Sequence, residues 1–227
     1  MVQFRAMRRL RQQLSEEESI SILRKCTAGT LALLGDNDYP YAVPISYVYA
    51  DGRLYFHSAL SGHKVDAIRK YDKASFCVIA QDEVHPEKYT TFFRSVIGFG
   101  RIHIIEDEGG THDVDNIAGG YHEKQETARM LGNRYNPNQE EALQKELENG
   151  LSRMLMICFD IEHLTGKEAI ELMKQREQSQ ACLNSAEIPE QSSPIPADAP
   201  TRSLSRSLSR QKKTEGQLVK HKNNTEK

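Results

Sequence analysis

The chain has 227 residues and a formal net charge of −2, with 38% hydrophobic residues and no Trp. This length suits one domain of ordinary size with extensions, and the lean hydrophobic content predicts that part of the chain stays outside a core. From Thr201 to Lys227 there are eight Lys or Arg and two Asp or Glu, which leaves −8 on the preceding 200 residues and argues against nucleic-acid binding by the core.

The first predicted element is a helix that begins with a capping box. Ser15 and Glu18 have the Ser-x-x-Glu spacing in which each side chain bonds to the backbone N–H of the other residue. We therefore expect a helix from about Glu16 to Cys26, with Ile20 and Leu23 facing inward.

A dense β region follows this helix. Asp51-Gly52 is a strong tight-turn signal between two runs of β-forming residues. Gly98 and Gly100, inside a long apolar run, predict a bulge or sharp bend that helps a sheet close on itself. Five strands at such short spacing favour a small antiparallel barrel. The predicted strands are Thr30–Leu34, Tyr41–Tyr49 with Val43, Ile45, Tyr47 and Tyr49 on one face, Leu54–His57, Ala74–Ala80 and Phe92–Ile105.

The second half of the chain is mixed in character. Beyond Asn184 the composition changes to Pro, Ser, Gln, Lys and Arg, which cannot bury enough apolar area to offset the loss of chain entropy. We expect a basic N-terminal extension over residues 1–14, a folded domain over 15–180 and a disordered tail over 185–227. The predicted elements of this half are a loop over Asp107–Gly120, helices over His122–Leu131 and Gln139–Leu151, a last strand over Met154–Ile161 and a closing helix over Lys167–Gln180.

Cysteine usage and hydropathy predict the compartment. The four cysteines form no CxxC pair, and their spacing fits neither a zinc site nor a dense disulfide framework, so we expect no metal site and a reducing environment. No apolar stretch is long enough to cross a bilayer. Because no apolar segment follows the basic residues Met1–Gln13, we expect a cytoplasmic protein without a secretory signal.

The most informative stretch is Leu54–Arg69, where a predicted strand ends and a helix begins near Gly62. Unpaired backbone N–H groups at a helix N-terminus bind anions. Ser58 adds a hydroxyl at the strand end, Lys64 adds a positive charge in the first turn, and His63 adds a further donor. Together these groups favour a phosphate site, and a surface loop with a solvated lysine is the alternative that the residues alone leave open.

Arg94 and Ser95 are polar residues at one end of the long apolar strand. The guanidinium of Arg94 can hold a phosphate through two parallel hydrogen bonds. A salt bridge between Arg94 and a neighbouring carboxylate is the alternative.

Two segments carry a family resemblance. YFHSALSGHKVDAIR at residues 55–69, together with TTFFRSVIGFGRI at 90–102, resembles the pyridoxamine 5′-phosphate oxidase-like superfamily, and within it the nitroimidazole-resistance (Nim) type of flavoprotein. The resemblance continues upstream through GTLALLGDNDYPYAVPISYVYADGRLYFHS and downstream through MICFDIEHLTGKEA. It covers about Leu10 to Met173, and the segment Asp107–Gln139 matches poorly.

This resemblance implies a mainly β fold with helices (β+α), namely a six-stranded antiparallel split β-barrel of the FMN-binding type. It also implies a homodimer that holds two FMN molecules across its interface. Strand residues 43–47 would line the flavin, residues 57–58 and 63–64 would lie at the ring edge and the phosphate, and residue 95 would approach from the long strand. With Arg94 added, the cofactor-binding candidates are Val43, Pro44, Ile45, Ser46, Tyr47, His57, Ser58, His63, Lys64, Arg94 and Ser95.

The chain departs from the true oxidases of this superfamily at two points. Gly62-His63-Lys64 stands where the oxidases have Ser-Arg-Lys, and the C-terminal Trp and Arg that help to bind flavin and pyridoxal substrate have no counterpart. We therefore expect an FMN-dependent oxidoreductase of another small molecule. Nitroimidazole-type nitroaromatics are the substrate class that the resemblance implies, and a reduced nicotinamide is the candidate electron donor.

A flavin supplies the redox chemistry itself, so the protein needs no acid–base pair of its own. His57 is the candidate catalytic residue near the reactive face, and its alternative is a strand-end histidine bonded to a backbone carbonyl. Two other classes of function stay open. One is a non-catalytic haem- or flavin-binding module, in which His57 and His63 would act as ligands of a haem. The other is an adaptor without a cofactor, whose basic tail binds a partner.

Overall fold

The computed structural model describes residues 3–106 and 117–186, with side chains over 3–106 and 122–181. Residues 107–116 of the predicted loop and residues 187–227 of the predicted tail lie outside this range. The helices are α1 (Glu16–Lys25), α2 (His63–Lys70), α3 (Ile117–Tyr135), α4 (Glu140–Gly150) and α5 (Ile170–Ala186). The strands are β1 (Gln13–Leu14), β2 (Ala28–Leu34), β3 (Pro40–Ser46), β4 (Val48–Ala50), β5 (Arg53–Ala59), β6 (Lys73–His85), β7 (Thr90–Ile105) and β8 (Met154–Glu168).

The strands of the described residues form one antiparallel sheet. Its order is β3–β2–β6–β7–β8–β5–β4, and β1 pairs with β8. Six of these strands have seven residues or more, whereas β1 and β4 have only two and three. The predicted six-stranded antiparallel fold with helices is therefore confirmed. The structure adds two short strands, and the sheet is open, with β3 and β4 at its two ends. Of the described helices, none is both long and apolar enough to cross a membrane.

Helix α1 begins with the capping box that the sequence predicts. The Ser15 Oγ accepts a hydrogen bond from the Glu18 N–H at 3.1 Å, and the Glu18 carboxylate accepts one from the Ser15 N–H at 2.7 Å. Leu23 is buried and Ile20 is half-buried. At the other end of α1, the Arg134 guanidinium donates to three consecutive carbonyl oxygens, which are acceptors that a helix end leaves unpaired.

The central strands are buried on both faces. On β5, Leu54 and Phe56 point into one hydrophobic cluster while Tyr55, between them, points into another, because successive strand residues face opposite sides. The first core cluster includes Leu31, Leu54, Phe56, Phe76, Val78, Val96, Ile102, Ile157 and Phe159. The second core cluster consists of Tyr55, Ile105, Ala128, Leu131, Leu147, Leu151, Met156 and Cys158, and it joins the sheet to the α3–α4 helical hairpin.

The strand predicted over Tyr41–Tyr49 is divided in two. β3 ends at Ser46 and β4 begins at Val48, with Tyr47 between them. The predicted common face is confirmed, and it points inward, since all four of its side chains belong to or pack against the first core cluster. They are Val43, Ile45, Tyr47 and Tyr49.

The last strand is longer than predicted. β8 continues past Ile161 to Glu168, so Lys167 lies in a strand, and the closing helix begins at Ile170 rather than at Lys167. The added residues pair with β7 on one side and with Gln13-Leu14 on the other. Such pairing is decided across the sheet, so the local sequence does not reveal it.

Three other boundaries also differ from the expectation. β6 continues to His85 instead of ending at Ala80, because it pairs along its length with β7. Helix α3 begins at Ile117, inside the predicted loop. Gln12, in the predicted extension, is buried and donates from Nε2 to the Glu168 carbonyl oxygen at 3.1 Å. The limits of the folded domain stay a prediction.

A bulge interrupts the pairing of β7 with β8 at Gly100. β8 carries one extra residue, Glu162, between the partners of Phe99 and Gly100. A Cβ on Gly100 would lie 1.9 Å from the carbonyl oxygen of Asp160, whereas a Cβ on Gly98 would meet nothing closer than 3.5 Å. The bend predicted from the two glycines is present, and only Gly100 must lack a side chain.

We predict that Gly100→Ala lowers the free energy of unfolding by about 2 kcal/mol or more, since the new methyl group forces the two strands apart. The matched control is Gly98→Ala in the same strand, which should change that free energy by less than about 1 kcal/mol. Urea unfolding of the two variants measures the difference, and equal losses would contradict the proposed role of Gly100.

Candidate functional site

A cavity lies between the sheet and the α3–α4 helical hairpin. Its volume is about 410 Å³, which falls in the range of small-molecule sites. The sheet contributes Ser46, His57, Met154 and Met156 to its wall. The hairpin contributes Ala128, Leu131, Gly132, Tyr135, Asn136, Leu143, Glu146 and Leu147. The wall is therefore mostly apolar, with His57, Tyr135 and Glu146 as its ionisable side chains.

Close packing of α3 on α4 shapes the helical side of this cavity. A Cβ on Gly132 would lie 2.3 Å from Cδ1 of Leu143, so a larger residue at this position would displace the Leu143 side chain from its present packing. Across the same hairpin, Arg129 forms an ion pair with Glu140 and donates to the Gln144 side chain. These contacts fix the wall that faces the sheet.

Tyr135 attaches the end of α3 to the end of β3. Its hydroxyl accepts a hydrogen bond from the Tyr47 N–H at 3.1 Å and lies 2.9 Å from the Tyr47 carbonyl oxygen. The same hydroxyl also contacts the carbonyl oxygen of Thr27. Ser46, which directly precedes Tyr47, is thereby held at the cavity.

The cofactor candidates on β3 divide between two faces. Val43 and Ile45 are half-buried against the first core cluster, whereas Pro44 and Ser46 are exposed on the opposite face. Tyr47 is fully buried, its hydroxyl donates to the Leu23 carbonyl oxygen at 2.8 Å, and burial raises the pKa of the phenol. The Tyr47 side chain is therefore a core residue, and only its backbone can contact a ligand in the cavity.

His57 and Ser58 also point to opposite faces, as neighbours on a strand must. The exposed His57 ring faces the cavity, and it makes no hydrogen bond with any residue that the structure describes. The alternative in which His57 bonds to a backbone carbonyl is not observed. Ser58 is 7% exposed and faces the interior, so the two side chains do not reach one ligand atom together.

The loop after β5 leads into α2 through Gly62, whose φ of 128° favours glycine. The first hydrogen bond of the helix runs from the Asp66 N–H to the Gly62 carbonyl oxygen at 3.0 Å. The N–H groups of the first three helical residues, His63, Lys64 and Val65, therefore have no partner within the helix. This is the geometry that binds anions.

Lys64 is a half-buried cation in this first turn. Its ammonium group forms no ion pair and no hydrogen bond with the described residues, and burial lowers its pKa. His63 is held differently: its ring stacks on Tyr41 with centroids 4.1 Å apart, and its Nε2 accepts a hydrogen bond from the Asp36 N–H at 3.3 Å. Of the two candidates, Lys64 is the one left without a partner.

Arg94 forms the salt bridge that the sequence left as an alternative. Its Nε lies 3.2 Å from a carboxylate oxygen of Glu168, a side chain that is fully buried at the end of β8. Arg176 of α5 lies 2.8 Å from the other oxygen of Glu168 and also pairs with Glu18. Ser95 is half-buried and pairs in register with Ile79. The Arg94 side chain is 39% exposed, so a ligand can reach it. A phosphate contact by Arg94 stays a proposal.

Comparison with known proteins decides the family. A family model described as pyridoxamine 5′-phosphate oxidase matches residues 15–168. This range includes every residue that lines the cavity, helix α2 and the strands β2–β8. The chain belongs to this family. The resemblance that the two sequence motifs carried is thereby confirmed.

One relative in sequence and two solved structures are similar to this chain. An uncharacterized protein of Rhizobium meliloti (strain 1021) is 28% identical over 161 residues, covering 69% of this chain and 93% of the relative. A proposed 5-nitroimidazole antibiotic resistance protein of Bacteroides thetaiotaomicron matches with a TM-score of 0.50 at 16% identity, over 69% of this chain and 86% of that one. An FAD and heme binding protein of Mycobacterium smegmatis matches with a TM-score of 0.54 at 22% identity, over 70% and 74%. The predicted split-barrel class is confirmed.

The sequence motifs of the pyridoxamine 5′-phosphate oxidase family did not reveal the helical wall of the cavity. The helix predicted over His122–Leu131 ends before Tyr135 and Asn136, which line the site. The signal that could have found Tyr135 is its position one turn after Leu131, on the same face of the helix. Met154 and Met156 lay in a predicted strand, but only their alternation across from β5 shows that they face His57.

We predict that Glu168→Gln lowers the free energy of unfolding by about 1–3 kcal/mol. The amide keeps the shape of the side chain but leaves Arg94 and Arg176 without their shared anion. Glu162→Gln is the matched control, because Glu162 is partly exposed and pairs with Arg101 at the surface, where such a pair contributes less than about 1 kcal/mol. Urea unfolding compares them, and a smaller loss for Glu168→Gln than for the control would refute this assignment.

Proposed function

We propose that this member of the family is a flavoprotein that binds FMN and acts as an oxidoreductase on a small molecule. The flavin phosphate binds at the first turn of α2, and the ring extends toward the cavity that contains His57. The observation that carries this proposal is Lys64, a half-buried cation without a partner among the described residues. It lies beside three backbone N–H groups that have no partner within the helix.

A buried charge without a counter-ion costs free energy, which an anionic ligand would recover. A phosphate group carries about −1.5 to −2 charges at neutral pH and offers three acceptor oxygens. One oxygen would accept from the Lys64 ammonium, and the others would accept from backbone N–H groups. Binding would also favour the charged ammonium and so oppose the lowering of its pKa by burial. The first turn of α2 therefore suits a phosphate better than it suits water.

The remaining parts of the site suit an aromatic ring and a small substrate. FMN when bound supplies the electron transfer, so the protein must hold and orient the ring and exclude water. Met154, Met156 and Leu131 give the cavity an apolar lining, and His57 is free to donate a hydrogen bond to a polar edge of the ring or of the substrate. A nitroimidazole-type nitroaromatic is the substrate class we propose, with a reduced nicotinamide as the electron donor and the cytoplasm as the compartment.

An exposed apolar surface supports a homodimer with the flavin at its interface. On β6 and β7, Ile79 is 66% exposed, and Ile97 and Phe99 are each 37% exposed. We call these three residues the β6–β7 apolar surface, and such patches mark protein contacts. Ser95 pairs directly with Ile79, and Pro44 lies in the same cross-strand row as Ile97, through Thr30 and Cys77. Two cofactor candidates therefore lie on the face that a second subunit would cover.

A haem is the second candidate ligand, because a relative with the same fold is an FAD and heme binding protein. The free ring of His57 could act as one axial ligand. His63 is less suited to be the other, since binding iron through Nε2 would break its hydrogen bond with the Asp36 N–H. The phosphate arrangement at Lys64 has no role in this alternative, and for that reason we favour a flavin.

We predict that the purified protein reconstituted with FMN shows the two broad flavin absorption bands, and that Lys64→Ala weakens FMN binding by about 1–3 kcal/mol, since it removes a charged donor. The matched control is Lys70→Ala, an exposed lysine in the last turn of the same helix, which should leave the affinity unchanged. Fluorescence quenching of FMN measures both dissociation constants.

Equal FMN affinity of the wild type and Lys64→Ala would reject the phosphate site. A single sharp Soret band, with no flavin retained after reconstitution, would favour haem. A colourless protein that takes up neither ligand would favour an adaptor.

We predict that Ile79→Lys converts the dimer to a monomer, because it places a charge at the most exposed position of the β6–β7 apolar surface. Val84→Lys is the matched control, since Val84 is 67% exposed on the same strand, beyond this surface. Sedimentation equilibrium measures the mass, and circular dichroism checks that each variant folds. A wild-type monomer, or a dimer that tolerates Ile79→Lys, would contradict the proposed interface.

A further inference from the structure

A second group of polar side chains lies on the sheet outside the cavity. His103 of β7 pairs in register with Cys158 of β8, and Asp160 follows two residues later on the same face. The ligand atoms of the three side chains all lie within 4.8 Å of one another. Their sequence positions form no zinc motif, so only the register of β7 with β8 brings them together.

We propose that His103, Cys158 and Asp160 bind a divalent cation of the zinc class, with water at a fourth position. An imidazole, a thiolate and a carboxylate are the ligand types that Zn²⁺ takes in proteins. This site is separate from the proposed flavin site and from the reaction there.

The distances fit tetrahedral coordination. Metal–ligand bonds of about 2.0–2.3 Å at tetrahedral angles place neighbouring ligand atoms about 3.4–3.6 Å apart. The His103 Nδ1 already lies 3.4 Å from an Asp160 carboxylate oxygen. The Cys158 sulfur lies within 4.8 Å of both and needs to approach by little more than 1 Å at most, by the same tetrahedral geometry.

Groups around the three ligands would orient them. Arg53 holds the other oxygen of Asp160 at 2.8 Å, which leaves one oxygen directed at His103, as outer-shell partners of metal-bound carboxylates do. The nearby guanidinium of Arg101 is neutralised by its own pairs with Asp72 and Glu162. The positive charge of Arg101 therefore opposes the binding of a cation less than an unpaired guanidinium would.

The site combines a buried ligand with an open entrance. Cys158 is fully buried. A bound cation replaces the proton of a thiol ligand, so each binding event releases one proton. The His103 and Asp160 side chains are 52% and 40% exposed, so a cation enters from the solvent side without opening the core.

Cobalt(II) added to the full chain tests the proposal, because cobalt bound to a thiolate shows a near-ultraviolet charge-transfer band. We expect the band to saturate at one equivalent of cobalt and to disappear when one equivalent of zinc is added. Cys158→Ser should abolish the band, and Cys77→Ser, at a half-buried cysteine elsewhere in the sheet, should leave it unchanged.

Because Cys158 is buried, its variant could fail to fold, so an exposed ligand provides a second test. His103→Asn should weaken cobalt binding at least tenfold while circular dichroism stays that of the wild type. His163→Asn, on the next strand, should leave the affinity unchanged. Absence of the band, a band that survives Cys158→Ser, or equal affinity for His103→Asn and wild type would overturn the proposal.

Discussion

The pairing of β7 with β8 is the constraint on which the rest of the molecule depends. It runs from Arg94 and Glu168 at one end to Ile105 and Met156 at the other. A slip of one residue turns every side chain of a strand to the opposite face. The buried charge network of Glu168, the close approach of Gly100 to β8 and the grouping of His103 with Cys158 would then all be lost together. The bulge at Gly100 fixes this register, since the backbone there leaves no room for a side chain.

Burial of the sheet on both faces explains where the candidate site lies. The first core cluster holds one face of β5 and β8, and the α3–α4 hairpin covers part of the other through Tyr55, Met156 and Leu131. The cavity forms at the edge of this second contact, where His57 follows Tyr55 on the same face. Tyr135 joins the helix end to the backbone at the end of β3 through hydrogen bonds, so the helical and sheet walls of the cavity are directly connected there.

Periodicity and turn chemistry predicted much of this fold, because those signals are local. The capping box at Ser15, the turn at Asp51-Gly52 and the common face of Val43 and Ile45 on β3 all follow from neighbouring residues. The extensions of β6 and β8 do not, since a partner strand decides where a strand ends. The motifs placed Lys64 in the first turn of a helix, but they could not show that Arg94 already has a carboxylate partner.

Glu168 and Lys64 differ in how their charges are compensated. Glu168 is fully buried and shared by Arg94 and Arg176, so its charge is compensated within the chain and serves the fold. Lys64 is half-buried and has no such partner among the described residues. We propose that an anion from outside the chain compensates this charge, which would favour a phosphate-bearing ligand over a neutral one. Under this proposal Lys64, rather than the more conspicuous Arg94, is the residue whose removal should weaken FMN binding most.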